Sequence, residues 1–183
     1  MRRLAALSAV LLAACASSSQ GPISSPQPDQ TVHVVAGTGS TGSTMTIAQS
    51  DDPSQRIMAV PSARIWDALP AVYDSLGLPI TDRNVQARTI GTSSLKLRRR
   101  LGNVPLSRYL DCGNTQGSPS ADSYDVLLTV TTRLAPSADS TAVITRVEAL
   151  ARPTFVSGEY VNCGSTRALE KRFFDLLSAQ VNR

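Results

Sequence analysis

The chain has 183 residues, of which 42% are hydrophobic and 17% charged, and its formal net charge is +4. This length fits one domain. Arg supplies nearly all of the positive charge, since only Lys96 and Lys171 are Lys. This bias is typical of genome composition, so the basic pI does not indicate a nucleic-acid partner, and we predict none.

Residues 1–14 predict an export signal. Arg2 and Arg3 form a positive start, and an apolar run from Leu4 to Leu12 follows. The run is shorter than the roughly 18 residues that a spanning helix needs. We therefore interpret it as a signal peptide and not as a transmembrane helix.

The signal ends in Leu12-Ala13-Ala14-Cys15, which resembles the lipobox of bacterial lipoproteins. The resemblance implies that Cys15 becomes the first residue of the mature protein and carries lipid chains that anchor it. Ala16 follows the cysteine where inner-membrane lipoproteins carry Asp, which implies the periplasmic face of the outer membrane. The alternative is an ordinary secretory signal with a cysteine beside its cleavage site.

Residues 15–30 form the predicted lipidated cysteine and a tether. The tether is rich in Ser, Pro and Gln and has too little apolar surface to fold. At random-coil scaling it spans on the order of 20 Å, which keeps the following domain near the membrane.

Residues 31–60 look like two strands around a glycine loop that contains Gly37, Gly39 and Gly42. The same spacing occurs in dinucleotide-binding loops, but there a helix begins at the loop. Here β-branched residues follow, so we predict a plain loop and no cofactor.

Residues 57–183 are predicted to form the globular domain, whose first helix covers residues 62–77. Ser62 is the expected N-cap and Gly77 the expected stop. We expect Pro70 to kink this helix or split it, because proline removes an internal hydrogen bond. One apolar face is predicted from helical spacing, formed by Ile65, Leu69, Val72, Tyr73 and Leu76.

About five antiparallel strands follow, in residues 78–84, 88–102, 107–113, 123–136 and 141–153. The fourth has a strict period of two, with Tyr124, Val126, Leu128, Val130, Thr132 and Leu134 on one side. A closing helix is expected over residues 165–181, with one face formed by Leu169, Phe173, Leu176, Leu177 and Gln180. The order predicts a two-layer α+β fold of helix-grip type, in which two helices cover one face of a curved antiparallel sheet.

Cys112 and Cys163 lie in similar contexts, DCGNT and NCGST. In an oxidising compartment we expect them to form a disulfide. We predict no metal site, because two Cys and the distant His33 do not make a tetrahedral set.

Lys96, Arg98 and Arg100 share one parity of a predicted strand, whereas Arg99 falls on the apolar side. Its functional interpretation is contact with anionic lipid head groups or an acidic partner. The pattern favours the other interpretation, a solvated face that protects a sheet edge.

We predict no catalytic residues. His33 is the only histidine, and the nucleophile elbow, the paired-histidine motif and the Cys-x-x-Cys motif are all missing from the sequence. The Asp residues near 111 and 122–125 fit ordinary turn chemistry.

Residues 63–97 resemble the opening of domains in the NlpB-like C subunit of the β-barrel assembly machine. The resemblance depends on Trp66, Leu69, Leu76, Gly77, Ile80, Asp82 and Gly91. It implies a helix-grip fold and a role in binding without catalysis. This chain has one such domain and not two, and its cysteine pair departs from the family pattern.

Together these features predict an outer-membrane lipoprotein that acts by binding, as an accessory in the cell envelope with an envelope protein partner. One alternative is a carrier of an apolar ligand between sheet and closing helix, around Leu128, Val130, Val143 and Phe173. The other is an envelope hydrolase.

Overall fold

The computed structural model describes residues 30–34, 43–47, 52–154 and 158–183. Strands β1 (Gln30–Val34) and β2 (Ser43–Ile47) pair as an antiparallel hairpin. The predicted signal peptide, Cys15, most of the tether and the glycine loop lie outside the described residues. A strand follows that loop, at the position where a dinucleotide-binding loop requires a helix.

The remaining residues form an α+β domain built on an open antiparallel sheet, which confirms the predicted fold class. Its centre is made of three long strands, β5 (Thr89–Arg98), β11 (Asp125–Pro136) and β12 (Thr141–Arg152). The shorter strands of this sheet are β3 (Ser54–Met58), β4 (Asp82–Asn84), β6 (Arg100–Leu101), β7 (Val104–Pro105), β8 (Leu110–Asp111) and β13 (Val161–Ser165). Strands β9 (Asn114–Thr115) and β10 (Ser118–Pro119) pair with each other in a separate two-stranded sheet.

One face of this sheet, which we call the inner face, is buried under the helices. Along β11 the alternate residues from Val126 to Leu134 are buried, as the period of two predicts. The β11–β12 hairpin closes through a hydrogen bond from the Ser137 N–H to the Ser140 carbonyl at 2.8 Å. Strand β3 pairs with the first half of β12 and β13 with its second half.

Helix α1 (Ser62–Leu76) buries the predicted apolar face together with Trp66. It runs unbroken through Pro70, so the predicted split is wrong. The buried neighbours Leu69, Val72 and Tyr73 hold the helix on the sheet, and this packing outweighs one missing hydrogen bond.

The ends of α1 are set by its backbone. The predicted N-cap is wrong, because Ser62 is already helical and the capping residue Pro61 makes no side-chain bond. At the other end Gly77 adopts a left-handed φ of 71°. The N–H of Leu78 then donates to the Tyr73 carbonyl at 2.9 Å, in the pattern of a Schellman stop.

Helix α2 (Ala168–Val181) begins later than predicted, because Ser165 belongs to β13 and Arg167 takes a left-handed φ of 66°. Its buried face is also rotated relative to the predicted one. Leu176 and Gln180 are only half-buried. The buried residues are Leu169, Glu170, Phe173, Phe174, Leu177 and Val181.

Residues 99–124 form a cover over one end of the inner face. The single strand predicted at residues 107–113 is wrong, because a 3-10 turn, Leu106–Arg108, precedes the two-residue strand β8. A second 3-10 turn, Ser120–Asp122, faces the first, and Asp122 accepts hydrogen bonds from the Ser107 N–H at 2.9 Å and hydroxyl at 2.6 Å. The cover adds the side chains of Leu101, Leu106, Tyr109, Leu110 and Ala121 to the core.

Candidate functional site

The second face of the sheet, which we call the outer face, is covered by neither of the two helices. Along β12 the inward residues Val147 and Ala149 are buried, whereas Arg146, Glu148 and Leu150 are exposed. Because side chains alternate across a strand, every strand that buries residues under the helices displays others on this outer face. We therefore searched it for a binding surface.

Basic residues gather at one end of the outer face, which we call the basic end. Its members Arg152, Asp125, Arg98 and Arg100 lie side by side on β12, β11, β5 and β6, because each is the direct pairing partner of the next. Lys96 lies on the same face one step further along β5. The basic end thus combines four cations with one carboxylate.

The basic end corrects the strip predicted along one strand. Lys96 and Arg98 do share the outer side of β5, but that strand stops at Arg98. Arg99 is exposed, not turned to the apolar side, and its φ of 68° reverses the chain. Arg100 returns on the neighbouring strand β6, so the cations form a row across strands instead of along one.

The charged side chains of the basic end differ in the contacts that they make. The Arg98 Nε lies 3.8 Å from the Asp125 Oδ1, but the Arg98 side chain is 62% exposed and the pair is therefore weak. The Arg152 guanidinium stacks 4.8 Å from the ring centroid of Tyr160. Lys96 and Arg100 are exposed. At least three cationic groups therefore remain open to an anionic ligand.

Apolar side chains border the basic end. Leu127 is the direct partner of both Lys96 and Leu150, so these three residues form the next row of the outer face. Leu150 is 39% exposed. The surface therefore places aliphatic groups directly beside cations.

The opposite end of the outer face has an apolar last row, and in the next row exposed Gln55 and Arg133 flank Ile144. Ile57 on β3 pairs with Ala142, which in turn pairs with Ala135. Ile57 is 69% exposed, the largest exposure among the big hydrophobic side chains that the structure describes. Ile144 lies one row further in and is half-buried. We call this region the apolar end.

Between the two ends lies a polar zone. Both the Ser93 and Thr81 hydroxyls donate to the Asp82 carboxylate. These bonds, Ser93 first, hold the pKa of Asp82 below its usual value. Nearby on β12, Arg146 and Glu148 pair at 3.5 Å. The carboxylates of this zone thus already have hydrogen-bond or ion-pair partners within the protein, as is usual on a solvated surface.

The inner face contains a buried polar network. The Tyr73 hydroxyl lies 3.0 Å from the Thr132 Oγ1 and donates to the Ile90 carbonyl at 3.1 Å. Thr132 continues the chain to the Thr145 Oγ1 at 3.2 Å. Burial raises the pKa of Tyr73 to about 12. This network fixes α1 against β5 and β11.

The four residues that the carrier hypothesis places around a ligand all belong to the core. Leu128, Val130, Val143 and Phe173 are buried in one cluster with both helices. The Tyr73 and Phe173 rings meet edge to face at 5.9 Å. Their packing is that of an ordinary hydrophobic core.

A second buried polar group stands where the chain enters the domain. Glu170 is buried, and its Oε1 accepts a hydrogen bond from the Ser165 hydroxyl at 2.7 Å. Arg167 lies 4.0 Å from the same oxygen and donates to the Asp52 carbonyl and, at 3.0 Å, to the Ser54 hydroxyl. These contacts fix the entry of the chain beside the start of α2.

Cys112 and Cys163 are joined in a disulfide, as the sequence predicts. The bond ties the cover to β13 across a separation of 51 residues, and both cysteines are buried. Over the described ranges, no three His, Cys, Asp or Glu residues lie close enough to hold a metal ion. Within the same ranges no helix has the length and hydropathy needed to cross a membrane.

Sequence reasoning missed part of the basic end. Arg152 and Asp125 join it only through the pairing register of β11 with its two neighbours, and a single strand pattern does not contain that register. The apolar end was missed for the same reason, since Ile57 meets Ala142 only in the sheet.

Comparison with protein-family models finds no match for this chain. A search of curated proteins finds no match either.

Proposed function

We propose that this chain is a lipoprotein of the bacterial envelope that acts by binding, as an accessory or scaffold in outer-membrane assembly or maintenance. The proposed anchor is the lipidated Cys15, on the periplasmic face of the outer membrane. The proposed partner is another envelope protein.

The observation that carries the binding role is the uncovered outer face. It displays an apolar end around Ile57 and a basic end around Arg98. Exposed apolar groups rimmed by charges are typical of protein contact surfaces. Such a surface on a tethered domain supports a scaffold that meets its partner at the membrane.

Two of the described carboxylates, Asp82 and Asp122, are held in structural contacts. A hydrolase needs convergent polar groups that point into a cleft. Here Asp82 accepts hydrogen bonds from Ser93 and Thr81, and Asp122 links two turns of the cover. These contacts are structural, and we assign no catalytic role to them.

The anchor is tested by mass spectrometry of the protein purified from membranes. Lipid attached at Cys15 supports the proposal, and Cys15→Ser should release the protein from the membrane fraction. An unmodified Cys15 on a protein that still sediments with membranes would contradict it.

The partner is tested by capture of the protein from its own envelope, followed by mass spectrometry. Arg133→Glu changes an exposed residue of the outer face, and Arg64→Glu makes the same change on α1. We expect Arg133→Glu, but not Arg64→Glu, to reduce the recovery of specific envelope proteins. Equal recovery with both variants would contradict a partner on the outer face.

A further inference from the structure

We infer that the basic end binds the phosphates of anionic lipid head groups, so that the tethered domain docks on the membrane that holds it. This inference rests on the proposed anchoring and adds an orientation to it. The basic end faces the bilayer, and the apolar end stays free for a protein partner.

The basic end carries an excess of positive charge. Lys96, Arg98, Arg100 and Arg152 surround one carboxylate, Asp125, which leaves an excess of cations on a single patch. A basic residue near an anionic bilayer strengthens the contact by about fivefold, and the contributions of neighbouring residues accumulate. Guanidinium groups also match the geometry of phosphate oxygens.

The basic end lies along one end of the sheet, where it is able to meet a flat surface. Its row crosses four adjacent strands at the end of the sheet, so the cations lie in one line and meet a surface together. A groove would instead suit a single extended acidic chain. Leu127 and Leu150 lie directly behind this row, where aliphatic groups enter the head-group region once the cations are seated.

The length of the tether is sufficient for the basic end to reach the bilayer. Ser54 pairs with Thr145 on β12, and the basic end lies at Arg152 on the same strand. Seven residues of a strand span about 23 Å. The tether of residues 15–30 spans a similar distance and residues 31–53 lie between it and Ser54, so an anchored domain is able to bring this end to the bilayer.

Lysine acylation is a suitable probe of this surface, because Lys96 and Lys171 are the only lysines in the chain. Lys96 belongs to the basic end, and Lys171 lies on α2, where its side chain is 76% exposed. The lipidated protein is reconstituted into phosphatidylcholine vesicles with or without phosphatidylglycerol and treated with an amine-acylating reagent. Peptide mass spectrometry then gives the acylation rate of each lysine.

On the anionic vesicles we expect acylation of Lys96, relative to Lys171, to slow by about fivefold or more. On neutral vesicles the ratio should match that of the detergent-solubilised protein. High salt should restore the rate, because it screens exposed charges. Equal ratios on both kinds of vesicle would overturn the inference.

Arg100→Glu should remove the protection of Lys96, and Arg100→Gln should weaken it. Arg64→Glu carries the same charge change on α1 and should leave the protection intact. An unchanged Lys171 rate and an intact disulfide show that each variant is folded. Protection that survives Arg100→Glu, or that Arg64→Glu also removes, would contradict the assigned surface.

Two further outcomes are separable. Protection of Lys96 in whole envelopes but not on anionic vesicles would overturn lipid binding in favour of an acidic protein. A chain without lipid at Cys15 would contradict the proposed function. It would then be held on nickel-chelating vesicles by an N-terminal histidine tag, so that docking is still measured.

Discussion

The two faces of the sheet use the same strands for opposite purposes. On β11 the inward Leu128 is buried in the core, and its neighbour Leu127 is half-buried on the outer face beside Lys96. The inner face is closed by two helices and by the disulfide-tied cover. The outer face has no such covering among the described elements. Residues that stabilise the fold and residues available for contact with other molecules therefore lie on opposite sides of one layer of backbone.

The comparison predicts that changes on the inner face cost stability, and that changes on the outer face cost binding. The largest stability effect is expected from the disulfide that ties the cover over the inner face. Replacing both cysteines, Cys112→Ala with Cys163→Ala, should lower the free energy of unfolding by about 4 kcal/mol, because the unfolded chain regains the freedom of a long loop. Urea unfolding measures this loss.

Reduction of the wild-type protein serves as the control and should give a similar loss. A variant as stable as the oxidised wild type would show that the cover holds without its covalent tie.

The next effect separates the two faces within one strand. Leu128→Ala should lower the free energy of unfolding by about 3 kcal/mol, because it leaves a cavity in the core. The matched change Leu127→Ala on the outer face should cost less than about 1 kcal/mol. Similar urea midpoints for the two variants would refute the division between the faces.

Tyr73 allows the buried polar network of the inner face to be tested. At pH 8, Tyr73→Phe should cost about 1 kcal/mol, because the network loses a hydrogen bond. In the wild type the folded state keeps the Tyr73 proton up to about pH 12, while the unfolded state loses it near pH 10. The unfolded state then binds fewer protons, so wild-type stability falls as the pH rises through this window.

The variant lacks this loss, so the difference in stability between wild type and variant should shrink above pH 10 and then reverse. Chemical unfolding of both proteins from pH 8 to 12 measures it. A difference that stays constant over that range would mean that Tyr73 is not held protonated by burial.

The smallest stability effect is expected on the outer face. Arg98→Gln removes the exposed pair with Asp125 and should change the free energy of unfolding by less than about 0.5 kcal/mol. Thermal unfolding measures it, with Arg64→Gln on α1 as the control. A large loss would show that the basic end holds the fold together, and its assignment to binding would lose support.

Patterns within one element were readable from the sequence. The period of two in β11 and the apolar face of α1 both predicted buried residues correctly. The disulfide also followed from residue type and the predicted compartment. Each of these predictions depends on local spacing or chemistry, which the sequence contains directly.

Patterns that depend on packing were not readable. Pro70 predicts a kinked or split helix, but α1 runs unbroken with Leu69 and Tyr73 buried in the core. In α2 Phe174 and Glu170 are buried, although amphipathic spacing places them outside, because Phe174 lies under Arg56 of β3 and Glu170 accepts a hydrogen bond from Ser165 of β13. The basic end required the register that puts Arg152 and Arg98 on either side of Asp125.

The most direct test of the central claim is photo-crosslinking in living cells. A photoreactive amino acid is placed at Arg146 on the outer face or at Asp67 on α1, and both positions are exposed. We expect protein adducts from position 146 and few from position 67. Adducts from position 67 alone would contradict this expectation, because the binding surface would then lie on the helical layer and not on the open face of the sheet.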